Sequence, residues 1–208
     1  MPAMEVRLTR PGSADARAFV ETNADAPASF VPAGGPGGGP DGPAPPGFDL
    51  DRRCRRLGEG ERCFAAACEA MRRWRQFDLG WVTLEPADAP LAVGTVVATR
   101  TRLCGLWWLN ACRVVAVEDG AEEEDGEIRR FGFTYATLEG HVERGEERFR
   151  IELDGEGAVW YELAAVSRPC HWLTRLAYPW VRRLQRRFAL DSLAAMARAT
   201  KEAGGSGS

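Results

Sequence analysis

The chain has one lysine, Lys201, and two histidines, His141 and His171. No apolar run approaches the ~20 residues that a helix needs to cross a bilayer. Its N-terminal MPAMEVRLTRPGS lacks the apolar centre of a secretory signal, so no targeting helix is expected. A surplus of positive charge is missing too: 27 basic against 30 acidic residues give a net charge of -3, and nucleic acid is not an expected partner. Six cysteines are present, at positions 54, 63, 68, 104, 112 and 170, but no CxxC pair and no Cys/His cluster at zinc spacing. A reducing cytoplasm with free thiols is therefore expected, with Cys104 and Cys112 as two small buried residues flanking a turn. No GxSxG elbow accompanies Ser167, which leaves no basis for a triad with His141 or His171. Nor does any motif for a cofactor occur.

What remains is a chain of 208 residues with 45 % hydrophobic content, enough for one sizeable core. Met4 to Thr9 suits a short strand, and Ser13 to about Thr22 a short capped helix. Pro32 to Pro46 is nearly all Gly, Pro, Ala and Asp, a composition that cannot offset its ordering entropy by apolar burial. Residues 1–47 thus form an arm, 48–203 the main domain, and Gly204 to Ser208 a tail of disordered character.

After an extended, arginine-rich segment at Asp49 to Leu57, the spacing of Phe64, Ala67, Cys68, Met71 and Trp74 predicts an amphipathic helix within Glu59 to Asp78. Six strands follow: Trp81–Glu85, Thr95–Leu103, Trp107–Glu118, Arg130–Leu138, Glu146–Leu153 and Ala158–Arg168. Their short connections favour an antiparallel meander over crossovers. In the fifth of these, Glu147, Phe149, Ile151 and Leu153 share one face, while Glu146, Arg148, Arg150 and Glu152 share the other, which predicts one covered and one wet face. The chain closes with a helical stretch from about His171 to Ala203, with Pro179 expected to kink or restart it. The fold class is α+β, a curved antiparallel sheet against a long C-terminal helix.

The strings LGEGERCFAAACEAMRRWRQFDLGWV (Leu57–Val82), FGFTYATLEGHVERGEERF (Phe131–Phe149) and VSRPCHWLTRLAYPWVRRLQRR (Val166–Arg187) resemble, in order, the uncharacterised family called DUF1990 or UPF0548, over roughly Phe48 to Met196. The resemblance implies a START-like, or Bet v 1-like, helix-grip fold, in which the sheet wraps the terminal helix around a ligand cavity. The stretches Gly34–Gly42 and Glu122–Asp125 look like local insertions relative to that family. The resemblance brings no activity and no catalytic residues, so chemistry rests on the residues themselves.

In the loop Gly140–Glu146 an imidazole stands beside carboxylates, and His141 with Glu143 or Tyr135 is the candidate acid–base group. A metal held by His141, Glu143 and Glu146 would need a convergence that the spacing does not dictate, so none is expected. Lining of a cavity is expected from Trp108, Phe133, Tyr135, Trp160 and Trp180, with Arg100 as a polar anchor. Because neighbours alternate along a strand, the pairs Trp107/Trp108 and Trp160/Tyr161 must each send one ring outward. Arg182, Arg183, Arg186 and Arg187, with Trp172 and Trp180, offer a surface for peripheral contact with an anionic membrane. Three classes stay open: a carrier of a small hydrophobic or amphipathic ligand, a cofactor-free lyase, cyclase or hydrolase, and a protein- or membrane-interaction module.

Overall fold

The structure is a computed structural model that describes residues 4–30, 42–103, 105–122, 128–141, 143–170 and 178–205. Its strands are β1 (Met4–Arg7), β2 (Asp49–Glu59), β3 (Val82–Glu85), β4 (Val96–Leu103), β5 (Leu106–Glu122), β6 (Arg129–Thr137), β7 (Glu143–Leu153) and β8 (Ala158–Pro169). Helices α1 (Ser13–Thr22), α2 (Gly60–Arg72) and α3 (Tyr178–Gly205) pack on them. All strand pairs are antiparallel, in the order β2-β8-β7-β6-β5-β4-β3. The meander holds, and the arginine-rich segment joins it as an edge strand on β8.

The long strand β5 serves two partnerships. Its first half pairs with β4 on one side and β1 on the other, and its second half pairs with β6. The N-terminal arm is thereby stitched into the sheet, and Ala16 and Phe19 of α1 bury Ala98, Leu109 and Ala111 on the convex face. Register shifts between Val114 and Ala116 and between Asp119 and Ala121 bend β5, as extra residues in one strand of a pair do, and help the sheet curl.

On the concave face lies the main core. Trp74, Phe77, Phe133 and Phe149 meet at ring separations of 4.9 to 6.2 Å, with Met71 of α2 and Met196 of α3 in the same cluster. Each such fully buried side chain contributes roughly 1.5–3 kcal/mol. Helix α2 ends at Arg72, short of Asp78, because Trp74 takes a left-handed backbone (φ 55°) and a 3-10 turn at Arg75–Phe77 follows. That break drives Phe77 inward and lets Trp74 Nε1 donate to the Ala89 carbonyl at 2.8 Å.

An expectation for β7 is corrected. The charged face of β7 is not wet: Glu146 and Arg148 are each 2 % exposed. Arg148 bonds Glu162 on β8 at 2.9 Å, and Arg150 reaches across Gly132 to Glu118 on β5 at 2.6 Å, so cross-strand ion pairs engage both guanidinium groups. Period-two patterning fixes which residues share a face, not whether that face meets water. Helix α3 is described from Tyr178, so the kink or restart expected at Pro179 falls at the edge of the described residues. His171, Trp172 and the helical stretch assigned to 171–177 lie outside the described residues, as do Cys104, most of Pro32–Pro46 and residues 123–127. Helix α3 also runs through Gly204 and Gly205, the first residues of the expected tail.

Candidate functional site

The core fills only one end of the space between sheet and helix. Beyond an aromatic partition made by Phe77, Tyr135, Phe149 and Phe188 (Phe77 to Phe188, 5.7 Å; Tyr135 to Phe149, 5.5 Å), the space opens into a cavity of about 290 Å³ under the first half of α3. Leu163, Trp81, Trp108 and Cys112 line it from the sheet, and Val181, Leu184 and Phe188 from the helix.

Polar contacts hold α3 over this space along both flanks. On one, Tyr178 donates to Asp49 at 2.7 Å and Arg182 pairs with Asp51 at 2.6 Å, tying the helix to β2. The Gln185 amide donates to both carboxylate oxygens of Glu143, at 2.9 and 3.0 Å, and to Ser167 Oγ at 3.1 Å. On the other, Trp81 Nε1 donates to Asp191 at 2.8 Å while the Arg187 guanidinium lies 4.6 Å from the Trp81 ring. Ser167 is a strand residue of β8 whose hydroxyl oxygen takes part in this latch.

Inside, Tyr135 Oη donates to Glu147 Oε2 at 2.5 Å. Among the described residues no cationic side chain pairs with Glu147. Burial pushes its carboxyl up to about 7, with the Tyr135 hydrogen bond opposing and the charges of Glu143 and Asp51 adding to the rise. Burial, reinforced by the Glu147 charge, also holds the Tyr135 phenol well above its ordinary range. Glu143 is raised by burial as well, against the opposing pull of Gln185 and Arg182.

Of the expected site residues, the structure brings His141, Glu143, Tyr135 and Trp108 to the cavity. His141 does not bond a carboxylate or Tyr135, however. Its Nδ1 sits 3.0 Å from the backbone nitrogen of Glu143 and 3.1 Å from the Glu143 carbonyl oxygen, and burial pushes the imidazole down to about 4. It is neutral at pH 7 and held as a structural corner of the loop.

The remaining four lie elsewhere. Phe133 points to the concave face but stacks on Phe149 inside the solid core. Arg100 is out of phase with Thr99 and Thr101, which face the cavity, and so falls on the convex face, where it pairs with Glu85 at 3.0 Å and donates to the Pro11 carbonyl. Trp160 faces outward and donates to Asp154, while its neighbour Tyr161 turns inward to Ser192 of α3. Trp180 is 67 % exposed on the outer side of the helix. Trp107, likewise, faces away from Trp108 and carries the guanidinium groups of Arg10 and Arg102.

Glu147 is the residue that the sequence reading passed over as a site, and its signal was present. It is a carboxylate in phase with Phe149, Ile151 and Leu153, where a fourth apolar residue would stand in an ordinary core strand. Gly145, two residues before it, is compelled by geometry: a Cβ there would lie 2.0 Å from the Val166 carbonyl oxygen of the paired strand.

A curled antiparallel sheet closed by a long C-terminal helix, with a lined cavity between them, defines a helix-grip protein. The model of the family described as "Domain of unknown function (DUF1990)" matches residues 35–195, and the chain belongs to that family. It is 42 % identical over 159 residues to a UPF0548 protein of Dictyostelium discoideum, covering 73 % of each chain. To a UPF0548 protein of Deinococcus radiodurans it is 37 % identical over 194 residues, covering 88 % of this chain and 92 % of that one. Among solved structures it is similar to a hypothetical protein from Helicobacter pylori (TM-score 0.47, 11 % identity, 74 % of this chain and 87 % of that one). A norcoclaurine synthase from Thalictrum flavum is similar at TM-score 0.44 and 10 % identity, over 76 % of this chain and 95 % of that one. No helix among the described residues is long and apolar enough to cross a membrane.

Proposed function

We propose that this protein binds a small amphipathic molecule between the sheet and the first half of α3. The observation that carries the reading is the division of the interior: aromatic rings fill one end completely, whereas the other end keeps a cavity of about 290 Å³ with apolar walls and a few buried polar groups. Such spaces, mostly apolar with sparse polar anchors, are the usual form of ligand sites. An unfilled apolar cavity costs stability in proportion to its volume, so a protein with no use for one gains by filling it.

Three features support this over a simple packing defect. The helix above the cavity is fastened by side-chain hydrogen bonds and ion pairs rather than by close apolar packing, which suits a cover that must part and return. Tyr135 and Glu147 present a donor–acceptor pair inward. Trp81 and Trp108 stand in the wall, where an occupant would alter their fluorescence. The test is native mass spectrometry of the purified protein, followed by solvent extraction and identification of what is released. A stoichiometric small molecule is expected. A bare chain that also fails to take up any of a panel of amphiphiles would contradict the reading.

A further inference from the structure

Resting on the cavity reading above, we infer that the molecule taken there is an amphipathic amine whose protonated nitrogen seats on the Glu147 carboxylate, with its apolar part against Trp81, Trp108 and Leu184. The argument is one of charge placement. Glu147 commits Oε2 to Tyr135 and has no cationic partner among the described residues.

The neighbours do not supply one. On its own strand stands Glu143, another carboxylate, already held by Gln185 of α3. Facing it from β2 is Asp51, whose charge is matched by Arg182 at 2.6 Å, so that guanidinium is engaged. From β6, β5 and β8 come Tyr135, Cys112 and Tyr161, all with burial-raised pKa values and neutral at pH 7. His141 is neutral as well. Two further cations line the cavity, Arg53 and Arg186; both are exposed to solvent, whereas Glu147 is not.

The interior therefore combines uncompensated acidity with aromatic walls. An anionic headgroup would meet Glu143 and Glu147 and be repelled. A neutral head would gain at most an uncharged hydrogen bond there. A protonated amine would gain a charge-assisted hydrogen bond in a desolvated setting, where such bonds are strongest. Binding then ionises Glu147 and releases its proton, so affinity rises with pH through the neutral range and levels off above it.

The test compares three probes with one chain and different heads, octylamine, octanol and octanoate, titrated into the protein by tryptophan fluorescence and calorimetry from pH 5.5 to 8.5. At pH 8 octylamine is expected to bind at least tenfold tighter than octanol, with octanoate weakest, and the advantage should shrink about tenfold by pH 5.5 while octanol stays level. Glu147→Gln should abolish the amine's advantage over octanol, whereas Tyr135→Phe, which keeps the carboxylate, should retain it. Octanol binding with no preference for octylamine would overturn the amine assignment and leave the cavity reading standing. No binding by any of the three would overturn both. Should the Glu147 variant fail to fold, the pH series on the unaltered protein decides by itself.

Discussion

Tyr135 Oη and Glu147 Oε2 lie 2.5 Å apart on neighbouring strands, directly opposite in the β6–β7 register. The carboxyl is raised to about 7 in the folded chain and returns to its ordinary range near 4.5 when unfolded. The folded state thus holds a proton that the unfolded state has lost between those two values, and stability falls as pH rises from about 4.5 to about 7. Glu147→Gln removes this loss. Chemical denaturation at pH 8 should find the variant more stable than the parent, by at most on the order of 3 kcal/mol, with little difference at pH 4.

His141 should show the opposite slope. Its folded value of about 4 lies below the usual 6.5, so the unfolded chain binds the extra proton as pH drops, and stability falls from about pH 6.5 down towards 4. A His141→Asn variant should lose that acid-side decline. Denaturation midpoints measured across pH 4 to 7 for both variants separate the two contributions, which partly cancel in the parent.

Arg100 makes a structural prediction. It is buried on the convex face with Glu85 and the Pro11 carbonyl as partners. Arg100→Ala strands a buried carboxylate and should cost about 3–5 kcal/mol, while leaving ligand affinity of the folded fraction unchanged. Thermal melting and a binding titration on the same sample check both halves.

Sequence and structure part company at a definable level. Strand and helix positions, the meander and the face-sharing of Phe149, Ile151 and Leu153 were legible because they depend on local periodicity. Site membership was not, because it depends on register and depth. Arg100 and Thr99 are adjacent in a strand whose two faces are both covered, so polarity alone cannot tell which one looks inward. Phe133 and Tyr135 share a face, yet Phe133 lies within the solid core while Tyr135 stands in the aromatic partition and borders the cavity, a boundary completed by Phe77 and Phe188 from distant elements. Gln185 meets Glu143 across 42 residues, a pairing that no local pattern reveals.

The flank contacts of α3 predict its dynamics. Arg182→Ala breaks the tie to Asp51 and loosens Gln185, whose Oε1 accepts from Arg182 at 2.7 Å. Hydrogen exchange should quicken in the first half of α3 and not in the second half, where Leu193 and Met196 sit in the core. Ligand release should quicken in step, read by stopped-flow displacement.

The cavity itself admits the most direct test. Ala165 lines it from β8, opposite Glu147 in register, and Ala165→Phe would place a ring in the open space without touching the packed core. Titration of an apolar fluorescent probe into the parent and the variant, both verified as folded by circular dichroism, compares an open with a filled cavity. The account predicts saturable 1:1 binding by the parent and its loss, by at least tenfold in affinity, in the variant. Equal binding by the two would contradict it.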